Sequence, residues 1–176
     1  MAVDVATITQ QLNSLPPDRQ KEILTLLNEL SDSRGRIKAQ NEFLPFIRKM
    51  WPAFIEGSHH KIMADAFNRI ADGSLKRLII NMPPRHTKSE FASNFFPAWY
   101  LGRYPDRKII QTAHTAELAV GFGRKVRNLV GSSNYQKIFP DVSLSADSKA
   151  AGRWSTNKNG DYFAIGVGGA VTGKGA

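Results

Sequence analysis

Lys76-Arg77-Leu78-Ile79-Ile80-Asn81-Met82-Pro83-Pro84-Arg85-His86-Thr87-Lys88-Ser89-Glu90 joins a short apolar run to a proline turn and then to a basic, hydroxyl-bearing stretch. Leu78, Ile79 and Ile80 are branched and consecutive, a pattern suited to a strand buried on both faces of a parallel sheet. After Met82 two prolines disfavour helix and ladder alike, so the chain turns before Lys88, Ser89 and Glu90 open a helix. The predicted order is strand, loop, helix.

That order suits a nucleotide phosphate loop, in which backbone N–H groups at a helix N-terminus cradle phosphate oxygens, a lysine reaches the terminal phosphates and a hydroxyl binds Mg²⁺. Lys88 and Ser89 have the residue types for the last two roles. Against the template G-x-x-x-x-G-K-[ST], Met82 stands at the first glycine and Thr87 at the second, so the bare pattern fails. Spacing alone leaves two readings open, a phosphate-binding loop and a proline-rich turn ending in a solvated lysine.

The residues from Pro83 to Ser89, P-P-R-H-T-K-S, resemble the deviant phosphate loop of large terminase subunits, the ATPases of tailed-phage DNA packaging, where it commonly reads P-P-R-H-[GST]-K-S after an apolar strand. The resemblance continues through Trp51-Pro52-Ala53-Phe54-Ile55-Glu56-Gly57, His59-His60, Ala113-His114-Thr115, Phe122-Gly123-Arg124-Lys125-Val126 and Gly168-Gly169-Ala170-Val171-Thr172-Gly173-Lys174-Gly175. It covers roughly residues 43 to 176.

The resemblance implies an α/β fold: an N-terminal helical extension over residues 1–36, then a partial P-loop NTPase-type domain over 37–176 with a parallel sheet and flanking helices. It implies ATP and Mg²⁺ as cofactors, with Pro84, Arg85, His86, Thr87, Lys88, Ser89 and Glu90 around the nucleotide. Ser89 would ligate the metal, Lys88 would hold the β- and γ-phosphates, and Arg85 would steady developing phosphate charge. In the family the segment just upstream of the loop strand helps hold the adenine, which makes His60 or Trp51 a candidate nucleotide contact. The family's glycine-rich segment leads into the strand bearing the Mg²⁺-binding and catalytic acids, and its basic residue is proposed as an arginine finger reaching a neighbouring subunit. Lys174 stands at that position, and a lysine supplies charge without a bidentate fork. Implied partners are double-stranded DNA, the portal protein, the small terminase subunit and further copies in a ring, in the cytoplasm of a bacterial host.

The composition agrees with a polyanionic partner: 24 Lys and Arg against 15 Asp and Glu give a net charge of +9 over 176 residues. With no cysteine, disulfides and thiolate metal sites are excluded, and a reducing compartment is expected. Met1-Ala2-Val3-Asp4 does not open a signal peptide and no apolar run approaches a membrane span, so the expectation is a soluble intracellular protein.

Along the chain, Ser14, Pro16 and Pro17 predict a helix start, and Ile23, Leu26, Leu27 and Leu30 give it one apolar stripe, with Ser31 to Gly35 as the linker after it. The aromatic and basic stretch from Glu42 to Phe54 reads as core rings with the cations outside. A helix is expected from Ser58 to Ala71, with Met63, Ala66, Phe67 and Ile70 inward. Adjacent His59 and His60 point in different directions on it and lack an i+4 partner, so no metal site is expected there. The helix after the loop buries Phe91, Phe95, Trp99 and Leu101 and stops at Gly102. A second strand over 107–113 ends at His114-Thr115, and a helix with Leu118, Phe122, Val126 and Leu129 on one face follows. Trp154–Thr156 and Tyr162–Ile165 read as strands joined at Asn159-Gly160, a hairpin signal.

Phosphoryl transfer to water needs a strand-end carboxylate for Mg²⁺, and no apolar run here ends in Asp-Asp or Asp-Glu. Asp141, Asp147 and Asp161 lie in turn-like sequence. The resemblance places the missing acids and a nuclease domain beyond Ala176. Two other classes remain beside the packaging ATPase: a DNA-binding or regulatory module without the chemistry, and another P-loop nucleic-acid translocase.

Overall fold

The computed structural model describes residues 13–169, with the backbone alone at 148 and 149. The expected roles of Lys174 and of the glycine-rich run from Ala170 onward lie outside the described residues. The chain divides into two compact units, Met1–Ile37 and Lys38–Ala176.

In the first unit, helix α1 (Pro17–Asn41) begins with proline at its first position and Asp18 in its first turn, both suited to a helix N-terminus. Gln20 donates its amide N–H to the Leu15 carbonyl at 2.8 Å and braces that start. Leu24, Leu26, Leu27 and Leu30 are each about half exposed. The expected linker from Ser31 to Gly35 is corrected: those residues are helical, within α1. A single internal glycine costs a helix only about 1 kcal/mol relative to alanine, too little to end it against a run of good helix formers on both sides.

The second unit starts with the last residues of α1, where buried Ala39 offers its carbonyl to the Trp99 indole N–H at 3.0 Å. Helices α2 (Phe43–Met50) and α3 (Ser58–Ala71) follow. From Glu90 to Phe95 the backbone takes a π-helical turn, which continues as α4 (Phe96–Arg103). Pro97 explains the widening: it has no N–H to give Ser93, and a wider turn carries its ring clear of that carbonyl.

Aromatic packing ties these helices together as the sequence leads one to expect. Phe43 is fully buried and meets Phe67, Phe91 and Trp99 edge-on at ring distances of 5.1, 5.5 and 5.5 Å. Phe46 adds Tyr135 at 6.2 Å and Phe139 at 6.0 Å. The Tyr135 hydroxyl, buried in this cluster, donates to the Ala98 carbonyl at 2.9 Å.

Strand β1 (Lys108–Ala113), helix α5 (Ala116–Val130), short helix α6 (Ser133–Ile138) and strands β2 (Leu144–Ala150), β3 (Arg153–Thr156) and β4 (Asp161–Gly166) complete the fold. The sheet order is β1-β4-β3-β2. β1 and β4 run parallel, in register from Lys108 with Asp161 to Ala113 with Gly166, while β3 is antiparallel to both neighbours. Helix α5 packs between this sheet and the helix that begins at the loop. Its Gly123 permits the close approach, since a Cβ there would lie 2.4 Å from the Ala151 carbonyl oxygen.

The fold is therefore α/β, but the parallel P-loop-type sheet is corrected to a mixed four-stranded one in which only β1 and β4 are parallel. The expected strand at Leu78–Ile80 is also corrected: residues 75–83 belong to no helix or strand. Leu78 and Ile80 pack on the core while Ile79 is 86% exposed, so the run buries one face and has no ladder neighbour among the described residues. The hairpin at Asn159-Gly160 forms as read, with Asn159 left-handed at φ 66°. Asp147 lies within β2 and Asp161 opens β4, where it accepts the Ser155 hydroxyl at 2.8 Å, so neither stands in a turn.

Because Phe43 links α2 to three other helical segments, Phe43→Ala is expected to cost about 3–5 kcal/mol, read from the urea midpoint of the chain's unfolding.

Candidate functional site

The segment from Met82 to Glu90 curls so that all nine residues line one hollow of about 540 Å³. Two of them, Arg85 at φ 65° and Thr87 at φ 59°, sit in the left-handed region. Such a conformation costs a residue other than glycine on the order of 1–3 kcal/mol, and for β-branched Thr87 it is a genuine outlier. Strain of this size persists only where the surroundings hold it.

The surroundings do so through hydrogen bonds on both sides. His86 donates Nδ1–H to the Pro84 carbonyl at 2.9 Å, closing the turn around Arg85. Thr87 donates its hydroxyl to the His86 carbonyl at 2.7 Å and meets His60 Nε2 at 2.7 Å. The Gly57 N–H donates to His60 Nδ1 at 2.8 Å, so Nδ1 is the acceptor and the ring proton sits on Nε2, facing Thr87. One chain of donors thus runs from Gly57 through His60 and Thr87 to the carbonyl of His86.

Below Thr87 the backbone turns into the helix. Phe91 N–H closes on the Thr87 carbonyl at 2.9 Å, which leaves the N–H groups of Lys88, Ser89 and Glu90 in the open first turn. A left-handed residue followed by right-handed ones makes consecutive N–H groups converge, a concavity that binds anions. Lys88 is half-buried and Ser89 exposed beside it. Arg85 and Lys88 line the same hollow as this helix start.

Glu90 closes the far end. Its carboxylate accepts the Asn94 amide at 2.7 Å and lies 3.3 Å from the Lys125 ammonium on α5. The Glu90 charge is thus turned toward α5, pinning the first turn of the helix to its neighbour.

His60, a candidate nucleotide contact from sequence, is 4% exposed, with Phe54 at 4.7 Å and Phe91 at 5.0 Å, and it meets the loop through Thr87. Trp51 stacks on Phe95 at 5.9 Å. Thr115 accepts the Leu118 N–H and caps α5. Sequence reasoning missed the His60–Thr87 bond and the Glu90–Lys125 pair, whose members lie 27 and 35 residues apart. The only local signal was the His59-His60 dipeptide itself.

A polyphosphate fits the hollow by its donor set. For Mg²⁺, the Ser89 hydroxyl is one hard oxygen, and among the described residues no group of three His, Cys, Asp or Glu side chains forms a metal cluster. A magnesium ion beside Ser89 would complete its shell with phosphate oxygens and water. No family model matches the chain, and no curated protein or solved structure matches it. Among the described residues no helix is long and apolar enough to cross a membrane.

Burial pushes the His60 pKa below the ordinary imidazole value of 6.5, and the neighbouring His59 pushes the same way. The unfolded chain therefore binds more protons than the native one between the lowered value and about pH 6.5, so stability rises with pH across that window. The contribution is complete above about pH 6.5 and lost as pH falls through the lowered value. Urea midpoints should fall between about pH 7 and about pH 5 in the wild-type chain, and fall less in a His60→Gln variant.

Proposed function

We propose that residues 82–90 bind the phosphates of ATP, and that the chain is the nucleotide-binding part of a DNA-packaging ATPase of the large-terminase kind. The observation that carries the reading is the hollow formed by nine consecutive residues, in which left-handed Thr87 turns the first N–H groups of a helix toward the same space as Arg85 and Lys88. A bland proline turn has no use for two strained residues other than glycine, one braced by His86 on the Pro84 carbonyl and the other by a buried histidine.

In this reading Lys88 holds the β- and γ-phosphates, Arg85 steadies charge on the outer phosphate, and the N–H groups after Thr87 bind the bridging region. Magnesium, when bound, neutralises phosphate charge, and Ser89 supplies its protein oxygen. Pro84 and His86 shape the turn, and Glu90 keeps the helix start against α5. Double-stranded DNA is the proposed translocated partner, favoured by the net charge of +9. The portal protein, the small terminase subunit and further copies of the chain in a ring belong to the same proposal.

Lys88→Ala should weaken binding of a fluorescent ATP analogue at least about tenfold, with an unchanged circular dichroism spectrum. It should also abolish any ATP turnover that the wild-type protein shows. An unchanged affinity and turnover would overturn the reading. Tight, salt-dependent DNA binding without any response to ATP would put a DNA-binding module in its place.

A further inference from the structure

We propose that His60 is the positioning residue of the phosphate loop: a clamp that holds Thr87 in the left-handed conformation which glycine adopts unaided at that place in the G-x-x-x-x-G-K-[ST] template. This rests on the reading of residues 82–90 as a nucleotide-phosphate cradle.

The second glycine of the template is absent at position 87. Position 87 takes φ 59°, and the residue there is β-branched threonine. Its backbone sets the direction of the peptide groups on either side, so a return to negative φ would rotate the N–H groups of Thr87 and Lys88 away from a common focus. Something must hold the side chain, and the Oγ1 makes two bonds: it donates to the His86 carbonyl at 2.7 Å and accepts from His60 at 2.7 Å. The first is local and moves with the loop, whereas the second ties Thr87 to another element.

His60 is built to be that fixed point. It belongs to the first turn of α3, is 4% exposed, and lies against Phe54 and Phe91. The Gly57 N–H occupies Nδ1 and fixes the proton on Nε2. Segment 51–57, which supplies that N–H, is itself held by Glu56, whose carboxylate accepts two N–H groups of Arg48 at 2.9 and 2.6 Å. The clamp therefore acts on nucleotide only through Thr87, and it is neutral by construction, because a doubly protonated ring would oppose the Gly57 N–H.

Two amide substitutions separate the clamp from a simple helix-capping role. His60→Asn keeps an acceptor near Gly57 but does not reach Thr87, whereas His60→Gln extends an amide toward Thr87. The 176-residue chain is assayed with Mg²⁺ and a fluorescent ATP analogue, and the ligand-free loop is followed by hydrogen–deuterium exchange. His60→Asn should weaken binding about tenfold and speed exchange about tenfold at Phe91, whose N–H closes on the Thr87 carbonyl, with His60→Gln within about threefold of wild type. Thr87→Val, which keeps the shape and removes both hydroxyl bonds, should repeat the His60→Asn result. In a Thr87→Gly background, His60→Asn should change either readout less than about twofold, because glycine needs no clamp. Equal losses for Asn and Gln, or a full His60→Asn effect in the Thr87→Gly background, would overturn the clamp. A chain that binds no ATP analogue but shows the exchange pattern would overturn the nucleotide reading and leave the clamp standing. Analogue binding indifferent to His60→Asn, in affinity and exchange, would do the reverse.

Discussion

The edge-on packing of Phe43 against Phe67, Phe91 and Trp99 is the interaction on which the second unit depends. Each of those rings belongs to a different stretch of chain: Phe67 to α3, Phe91 to the π-helical turn and Trp99 to α4. Aromatic rings prefer such T-shaped contacts, and a cluster of them fixes angles between helices more tightly than aliphatic contacts of the same area. The consequence reaches the loop. Phe91 follows Glu90 directly and also packs on His60, so the same cluster holds α3 and the helix start at the separation that the 2.7 Å bond from His60 to Thr87 requires.

The loop is thus strained locally and supported from a distance. Two left-handed residues, each unfavourable alone, persist because one is braced by His86 on the Pro84 carbonyl and the other by a histidine from α3. At the other end the Glu90 carboxylate joins Asn94 to Lys125. Both groups of that ion pair are well exposed, so its worth lies in orientation more than in stability. The buried support comes from rings and a neutral imidazole, and the charged groups Arg85 and Lys88 stay available to a ligand.

The legible parts of this fold were those written in local chemistry. Asn159-Gly160 forms its turn because those two residues specify one, and the aromatic stretch after Glu42 is core because its rings have nowhere else to go. Strand β2 was not legible: Leu-Ser-Ala-Asp-Ser-Lys-Ala has little intrinsic preference for a strand, and its pairing is set by β3. Leu78–Ile80 erred the other way, since a branched apolar run reports burial but a strand also needs a neighbour. For the site, the turn and its basic residues were legible from Pro83 to Ser89. The support was not, because the bond from His60 to Thr87 spans 27 residues and depends on how α3 packs.

The turn at Asn159 also bears on how the protein ages. Asn-Gly is the dipeptide most prone to deamidation, because an unhindered glycine nitrogen attacks the asparagine carboxamide and closes a succinimide. Here the Gly160 N–H is donated to the Thr156 hydroxyl at 2.9 Å, and a Cβ at Gly160 would lie 2.3 Å from the Pro105 carbonyl oxygen. The attacking nitrogen is engaged and its peptide group is fenced by backbone, so ring closure first requires the β3–β4 hairpin to open. The same turn that registers two strands therefore protects its own asparagine from chemical decay.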